Sequence, residues 1–233
     1  LIADGALDLD VPSVEVSGRL TLEGARFPDE AGDRGSISFT ATTSSAALGS
    51  VAPSLPTSGE ATYTVRLFPG RYDVGFDGHA ARCVSAPDSA IPCNAGALRR
   101  DIVLTADGAV DLDVSAVRVA GAVTLDGAAL PPEALDRGAI SFTAANGGSV
   151  STGALGSSGP AAYRITLLPG TYAVGFDANE LLCATGTTAV PCIGAPLTSI
   201  VLGVDGALDV DLHAIRVSGR VTAMGTTVRD ESA

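Results

Sequence analysis

The chain of 233 residues has no lysine, no glutamine and no tryptophan, so its 14 basic residues are all arginine. Without lysine no Lys–Asn isopeptide crosslink can form, and without glutamine no Cys–Gln thioester can. Covalent reinforcement is left to the cysteines. Histidine is nearly missing too. Only His79 and His213 are available as general bases of the kind that works near neutrality, and their counterparts in the repeats described below are Asn179 for the first and Pro12 or Ser115 for the second. A catalytic triad needs a base within reach of its nucleophile and a third group to orient that base. Nothing in the sequence assembles one, and the chain is expected not to be an enzyme. Nor does any run of about 20 apolar residues offer a membrane-spanning helix, and no signal peptide is recognisable. No segment of useful length carries a 3.6-residue period. The net charge of −12 lacks the basic footprint that a nucleic-acid partner requires, and Asn-x-Ser/Thr acceptors do not occur.

What is present is one motif used three times. LIADGALDLDVPSVEVSGRLTLEG, LTADGAVDLDVSAVRVAGAVTLDG and LGVDGALDVDLHAIRVSGRVTAMG align without a gap, with Asp4, Asp107 and Asp205 spaced 103 and 98 residues apart. That period exceeds the roughly 20 to 50 residues of a solenoid repeat and matches one β-sandwich of about 100 residues. The expected organisation is residues 1–13 as the closing strand of a preceding repeat, 14–115 as the first sandwich, 116–213 as the second and 214–233 as the opening strand of another. Because it opens at Leu1 in the middle of the motif, the chain is expected to be a mature or excerpted segment of a longer exported protein.

Within each unit the apolar residues alternate with the period of a half-buried strand. In the first unit this holds for Val14 to Leu22, for Ser36 to Thr42, and for Tyr63, Val65 and Leu67. It resumes at Tyr72, Val74 and Phe76 and again from Ile102. Six main strands are expected per unit, with room for a seventh. Two connections read as hairpins: YTVRLFPGRYDVGF through Pro69-Gly70, and the closing segment through Asp107-Gly108, since an Asp-Gly pair between alternating apolar residues signals a tight turn. The joints Pro12-Ser13, Ser115-Ala116 and His213-Ala214 leave little freedom. Successive domains are therefore expected end to end as a rod, advancing about 35 Å for strands of about ten residues.

The four cysteines fall two per unit, Cys83 with Cys93 and Cys183 with Cys192. A structural zinc site needs four ligands, more than each unit supplies, so a local disulfide is expected in each, together with an oxidising compartment. Asp8 and Asp10, Asp111 and Asp113, and Asp209 and Asp211 stand two apart on strands near the joints, so each pair projects from one face. The pairs fit a calcium ion, which takes 6 to 8 oxygen ligands, or simply the wet, charged face of a strand that discourages edge pairing. Asp33-Arg34 and Asp136-Arg137 recur in turns and read as exposed ion pairs or turn caps. Tyr63, Tyr72, Tyr163 and Tyr172 sit in apolar alternation, which suits core packing better than sugar stacking. The Ser/Thr-rich loops read as flexible, with O-linked sugars a second use.

The run V-x-V-x-G-x-V-T-L-x-G, followed by Y-x-x-x-L-x-P-G-x-Y-x-V, resembles the carboxypeptidase regulatory-like domain, a transthyretin-like β-sandwich repeated in bacterial exported proteins. The residues that carry it are Val117, Val119, Gly121, Val123, Thr124, Leu125 and Gly127, then Tyr163, Leu167, Pro169, Gly170, Tyr172 and Val174, with equivalents in the first unit. The Asp-Arg-Gly turn and the cysteine loop depart from the pattern. The resemblance implies a non-catalytic module. Catalytic relatives, the hydroxyisourate hydrolases, use several His and Arg residues and a C-terminal Tyr-Arg-Gly-Ser that this chain does not reproduce.

The function expected from these features is an extracellular or cell-surface structural repeat protein forming a fibre, stalk or adhesin rod. Its partners would be neighbouring repeats, with self-association into filaments. The alternative is a module that binds a glycan or surface protein through the loops at a sandwich end.

Overall fold

The computed structural model describes residues 8, 10–30, 32–42, 50–184, 188–215, 222–223 and 226–227. The first unit contains β1 (Val14–Leu22), β2 (Ala25–Arg26), β3 (Ser36–Ala41), β4 (Ser50–Val51), β5 (Thr62–Leu67), β6 (Gly70–Asp77), the short helix α1 (Arg82–Ser85), β7 (Ala95–Leu104), β8 (Gly108–Ala109) and β9 (Leu112–Val114). The second repeats the order with β10 (Val117–Leu125), β11 (Ala128–Ala129), β12 (Ala139–Ala144), β13 (Ser149–Ser151), β14 (Ala162–Leu167), β15 (Gly170–Asp177), α2 (Leu181–Ala184), β16 (Ala195–Leu202), β17 (Gly206–Ala207) and β18 (Val210–Leu212). A last hairpin joins β19 (Thr222–Ala223) to β20 (Thr226–Thr227). Most of residues 1–13, including the Asp4-Gly5 turn, lie outside the described residues, and Asp8 and Asp10–Ser13 are outside any strand.

Each unit is a two-layer β-sandwich, so the chain is all-β. In the first, β2-β1-β5 form one sheet, with β8 and β9 added in parallel on the free side of β1, while β4-β3-β6-β7 form the other. The second unit pairs its strands in the same way. Alternation along each strand turns its apolar set inward: Val14, Val16, Leu20, Tyr63 and Val65 from one sheet meet Ile37, Phe39, Val74 and Phe76 from the other. The Phe39 and Tyr63 rings, 5.7 Å apart, cross the middle of that core, as Phe142 and Tyr163 do at 6.2 Å. Such rings contribute most of the buried area per residue in a core of this size.

Both expected hairpins are crossings between sheets. β5 pairs with β1, whereas β6 pairs with β3 and β7, so Phe68-Pro69 carries the chain from one layer to the other. The Tyr72 hydroxyl ties this arch by donating to the Phe68 carbonyl at 2.8 Å. Likewise Asp107-Gly108 leads from β7 in one sheet to β8 in the other. Gly108 is not among the glycines of positive φ, which a two-residue hairpin turn of type I′ demands. Those turns lie instead at Glu23-Gly24 (φ 52° and 74°) and Asp126-Gly127 (φ 50° and 76°), between β1 and β2 and between β10 and β11. Alternation reports which side chains face the core, and that is the same for a hairpin and for a crossing.

Gly18 and Gly121 are required by close approach. The closing strand is interrupted between β8 and β9, and there the Val110 carbonyl turns towards β1. A Cβ on Gly18 would lie 2.0 Å from that oxygen, and one on Gly121 would lie 1.9 Å from the Leu208 carbonyl. The same two carbonyls accept hydrogen bonds from the hydroxyls of Tyr63 and Tyr163. Glycine, inward tyrosine and interrupted strand therefore form one local device, built twice.

Candidate functional site at the joint between the units

Both expected disulfides form, Cys83 to Cys93 and Cys183 to Cys192, with Cα atoms 5.3 and 5.4 Å apart. Each closes a loop that begins with a single helical turn. In the first unit this loop is anchored from within: the Ser89 hydroxyl donates to Glu30 Oε1 and accepts from Arg82 Nη2, both at 2.7 Å. In the second, Glu133 Oε1 accepts from Thr188 Oγ1 and from the backbone N–H of Ala189 and Val190. Glu30 and Glu133 thus hold equivalent loops.

The first loop also holds the next unit. The Cys93 N–H donates to the Thr166 carbonyl at 3.0 Å, and Thr166 Oγ1 donates back to the Ser89 carbonyl at 2.7 Å. Asn94, 6 % exposed, uses both ends of its amide: Oδ1 accepts from Leu168 N and Nδ2 donates to the Tyr172 hydroxyl, each at 2.8 Å. Leu168 itself, 6 % exposed, is buried in the core of the first unit. Gly96 makes room for it, because a Cβ there would lie 2.7 Å from Leu168 Cδ1. Conversely, Cys83 and Cys93 pack with the core of the second unit. Arg164 and Asp88 add an exposed ion pair at 2.6 Å, of a kind that contributes at most about 1 kcal/mol.

The aspartates stitch the closing strand to β1 and β10. Parallel pairing by two short strands leaves several N–H groups on that edge without a carbonyl, and side-chain carboxylates take their place. Oδ1 of Asp107 accepts from Glu15 N and that of Asp111 from Arg19 N, both at 2.8 Å, while Asp113 Oδ1 accepts from Thr21 Oγ1 at 2.6 Å and Gly24 N at 2.8 Å. Asp205, Asp209 and Asp211 serve Arg118, Ala122, Thr124 and Gly127 in the same way. The Gly127 N–H, and then the Thr124 hydroxyl, lower the pKa of Asp211. Asp8 and Asp10 are exposed. Among the described residues no three His, Cys, Asp or Glu side chains converge as a metal site.

The arginines of the Asp-Arg-Gly turns are not exposed ion pairs. Arg34 and Arg137 are both 0 % exposed. Arg34 reaches the carbonyls of Phe27, Pro28, Pro56, Ser58 and Gly59, and Arg137 those of Leu130, Gly156, Ser158 and Gly159. A guanidinium offers five donors in a fixed fork, enough to gather two loops at one sandwich end. Asp29 Oδ1 lies 3.4 Å from Arg34, and burial lowers the pKa of that arginine. The turn caps are real: Asp33 Oδ1 accepts from Gly35 N at 2.8 Å and Asp136 Oδ1 from Gly138 N at 3.3 Å. Recurrence of Asp-Arg-Gly was the sequence signal; nothing local distinguishes a buried arginine from an exposed one.

All four tyrosines are core residues. Burial pushes the Tyr63 hydroxyl up to about 12 and raises Tyr72, Tyr163 and Tyr172 as well. The histidines are far apart in role. His79 sits at φ 68° with its N–H on Asp77, whereas His213 Nδ1 is 3.0 Å from Asp126 Oδ1, a contact that raises its pKa. Among the described residues, the side-chain partners of both are aspartates.

No family model matches the chain, and no curated protein matches it. Among solved structures it is similar to the minor pilin of Streptococcus agalactiae, at 12 % identity and a TM-score of 0.41, over 90 % of this chain and 100 % of that one. It is also similar to a DUF3823 family protein from Parabacteroides merdae (13 %, TM-score 0.33, 73 % and 93 %). A third is the shaft pilin of Lactobacillus rhamnosus GG (7 %, TM-score 0.31, 89 % and 99 %). Likeness at this level carries no argument about function.

Proposed function

We propose that the chain is a non-catalytic extracellular structural protein, a stretch of tandem transthyretin-like sandwiches of the carboxypeptidase regulatory-like kind, whose function is to supply length and stiffness as a fibre, stalk or adhesin rod. The observation that carries this reading is the clamp at the joint. A linker of Ser115-Ala116 alone would restrict the angle, but Leu168 buried in the preceding core and the two-ended Asn94 contact oppose bending and twisting as well. Inter-domain contacts within a chain are by default mobile unless apolar and well packed, and this one is both packed and hydrogen-bonded. A cystine in each unit supports an oxidising compartment, outside the cell or on its surface. Units 14–115 and 116–213 are the repeats, flanked by parts of others at 1–13 and 214–233.

Small-angle scattering and electron microscopy test the reading. Two sandwiches in line give an elongated particle with one narrow distribution of end-to-end length; a compact particle, or a broad distribution, sinks it.

A second reading, recognition of a glycan or surface protein by the loops at a sandwich end, draws on Arg34 and Arg137, which hold those loops in one conformation in advance of any ligand. Saturable, competable binding on a glycan array would favour it.

A further inference from the structure

Among the described residues, the strands longer than three residues that lie at a sheet edge are β5, β7, β14 and β16. The first three carry arginine, and β7 adds Asp101. β16 carries no charge, nor does any residue from Leu181 to Val204. As outer strands of the sheets β4-β3-β6-β7 and β13-β12-β15-β16, β7 and β16 are repeat equivalents, yet their edges are built differently. Opposite Asp73 on β6 stand two residues, Arg100 and Asp101, in a bulge where Asp101 takes φ 53° and donates its N–H to Asp73 Oδ1 at 2.8 Å. Ion pairs of Arg71 with Asp101, at 2.7 Å, and of Arg100 with Asp73, at 3.7 Å, line that edge. Opposite the equivalent Ala173 stands Ser199 alone, and the ladder from Thr198 to Leu202 runs without a shift. Bulges and charges keep an edge strand from adding another chain. The first unit has both at this place, and the second has neither. Thr198, Ser199 and Val201 are exposed, Val201 at 75 %, and Val204 beside them is 79 % exposed. A following repeat does not account for this. In the first unit, with the second in place, the equivalent Val103 is still 55 % exposed, and Leu168 of the second unit meets that sheet at Gly96, near the start of β7.

We propose that β16 pairs antiparallel with β16 of a second copy of this chain across a two-fold axis, so that two four-stranded sheets become one. The outward N–H and C=O groups of an edge strand are matched by those of another strand, and a two-fold axis lets one set of residues serve both sides. Charge points to a copy as the occupant. At a net charge of −12 two chains repel over most of their surfaces, but along β16, Gly203 and Val204, backed by Thr171 and Ala173 on β15, they meet without a charged residue. Val201 and Val204 of both copies leave water together, which favours the contact. The association is lateral, side by side, and it does not depend on the rod reading.

Sedimentation velocity of the full chain over a wide concentration range, with hydrogen exchange of the β16 amides, tests it. The wild type is expected to dimerise, more tightly as salt screens the like charge of the two copies, and the outward amides of β16 are expected to exchange more slowly in the dimer. V201K and V201E, changes at an exposed position, are each expected to weaken dimerisation at least about tenfold and to stay folded by circular dichroism. Mixed one to one, they are expected to regain it, because opposite charges then face each other across the axis. V103E, at the equivalent position on the bulged edge, is expected to leave the dimer intact. A wild type that is monomeric throughout, a dimer that loosens as salt rises, or β16 amides that exchange as fast in the dimer as in the monomer overturns the proposal. So does a dimer that survives V201K and V201E, a mixture of the two that stays monomeric, or an equal loss with V103E.

Discussion

Asn94 of the first sandwich and Leu168 of the second are bound backbone to side chain, Leu168 N–H to Asn94 Oδ1 at 2.8 Å, while the other end of the amide holds the Tyr172 hydroxyl. Removing the amide leaves the buried Leu168 N–H without its partner. Asn94→Ala is expected to cost about 1–3 kcal/mol and to uncouple the units. A single cooperative thermal transition in calorimetry should then divide into two, whereas retention of one transition at an unchanged Tm would count against the clamp.

The two disulfides should differ in consequence although they close loops of nearly equal length, 10 and 9 residues. Chain entropy assigns each about 2–3 kcal/mol. Among the described residues, the first alone links its loop to the neighbouring unit, through the Cys93 N–H and the Ser89 carbonyl. Replacing Cys83 and Cys93 by alanine should broaden the length distribution seen in scattering, and replacing Cys183 and Cys192 should leave it narrow.

Arg34 and Arg137 should be among the most sensitive positions in the chain. Truncation to methionine strands several buried carbonyls, each worth about 1–3 kcal/mol when unpaired, and a loss above about 3 kcal/mol is expected in urea unfolding. Lysine should not rescue either site, since a point charge cannot fork to two loops. Exposed Arg66→Met should stay within about 0.5 kcal/mol of wild type.

Gly18 and Gly121 predict a contrast among glycines. Alanine at either places a methyl about 2 Å from a backbone carbonyl, and overpacking of this kind costs about 1–3 kcal/mol or more. At Gly206, where a Cβ meets nothing within 4 Å, alanine should be neutral within about 0.5 kcal/mol. Equal effects at the three sites would remove the close-approach explanation.

Tyr63 sets an alkaline limit. Its folded pKa of about 12 lies above the ordinary 10.0 because burial opposes the phenolate. The unfolded chain therefore loses this proton first. Stability is full below the ordinary value and falls as pH rises through the interval up to the folded one, and Tyr163 acts in the same sense. Absorbance at the phenolate band should show delayed ionisation of these residues, lost in Tyr63→Phe. Ionisation at the ordinary value in the folded protein would contradict the buried geometry.

Much of the fold was open to reading, for a definite reason. A repeat of about 100 residues, strands with period two and paired cysteines are all local or periodic signals, carried by the order of residues alone. The crossings at Phe68-Pro69 and Asp107-Gly108 were not, because alternation identifies a core face without identifying the sheet. The aspartates were legible as a wet strand edge, yet their partners are 84 to 92 residues away, and separation on that scale leaves no local trace.

By itself, then, the order of residues determined that this chain folds as repeated all-β sandwiches, with a cystine in each and short joints between, since these follow from periodicity and spacing. Only tertiary structure decided what the repeats do differently. Leu168 of the second unit is buried in the core of the first; Asn94 clamps it across the joint; Arg34, beside an aspartate in sequence, spends its donors on distant carbonyls. Equivalent residues in near-identical local sequences acquire different roles because burial and hydrogen bonding depend on what lies across the joint, and that is a property of neighbours in space.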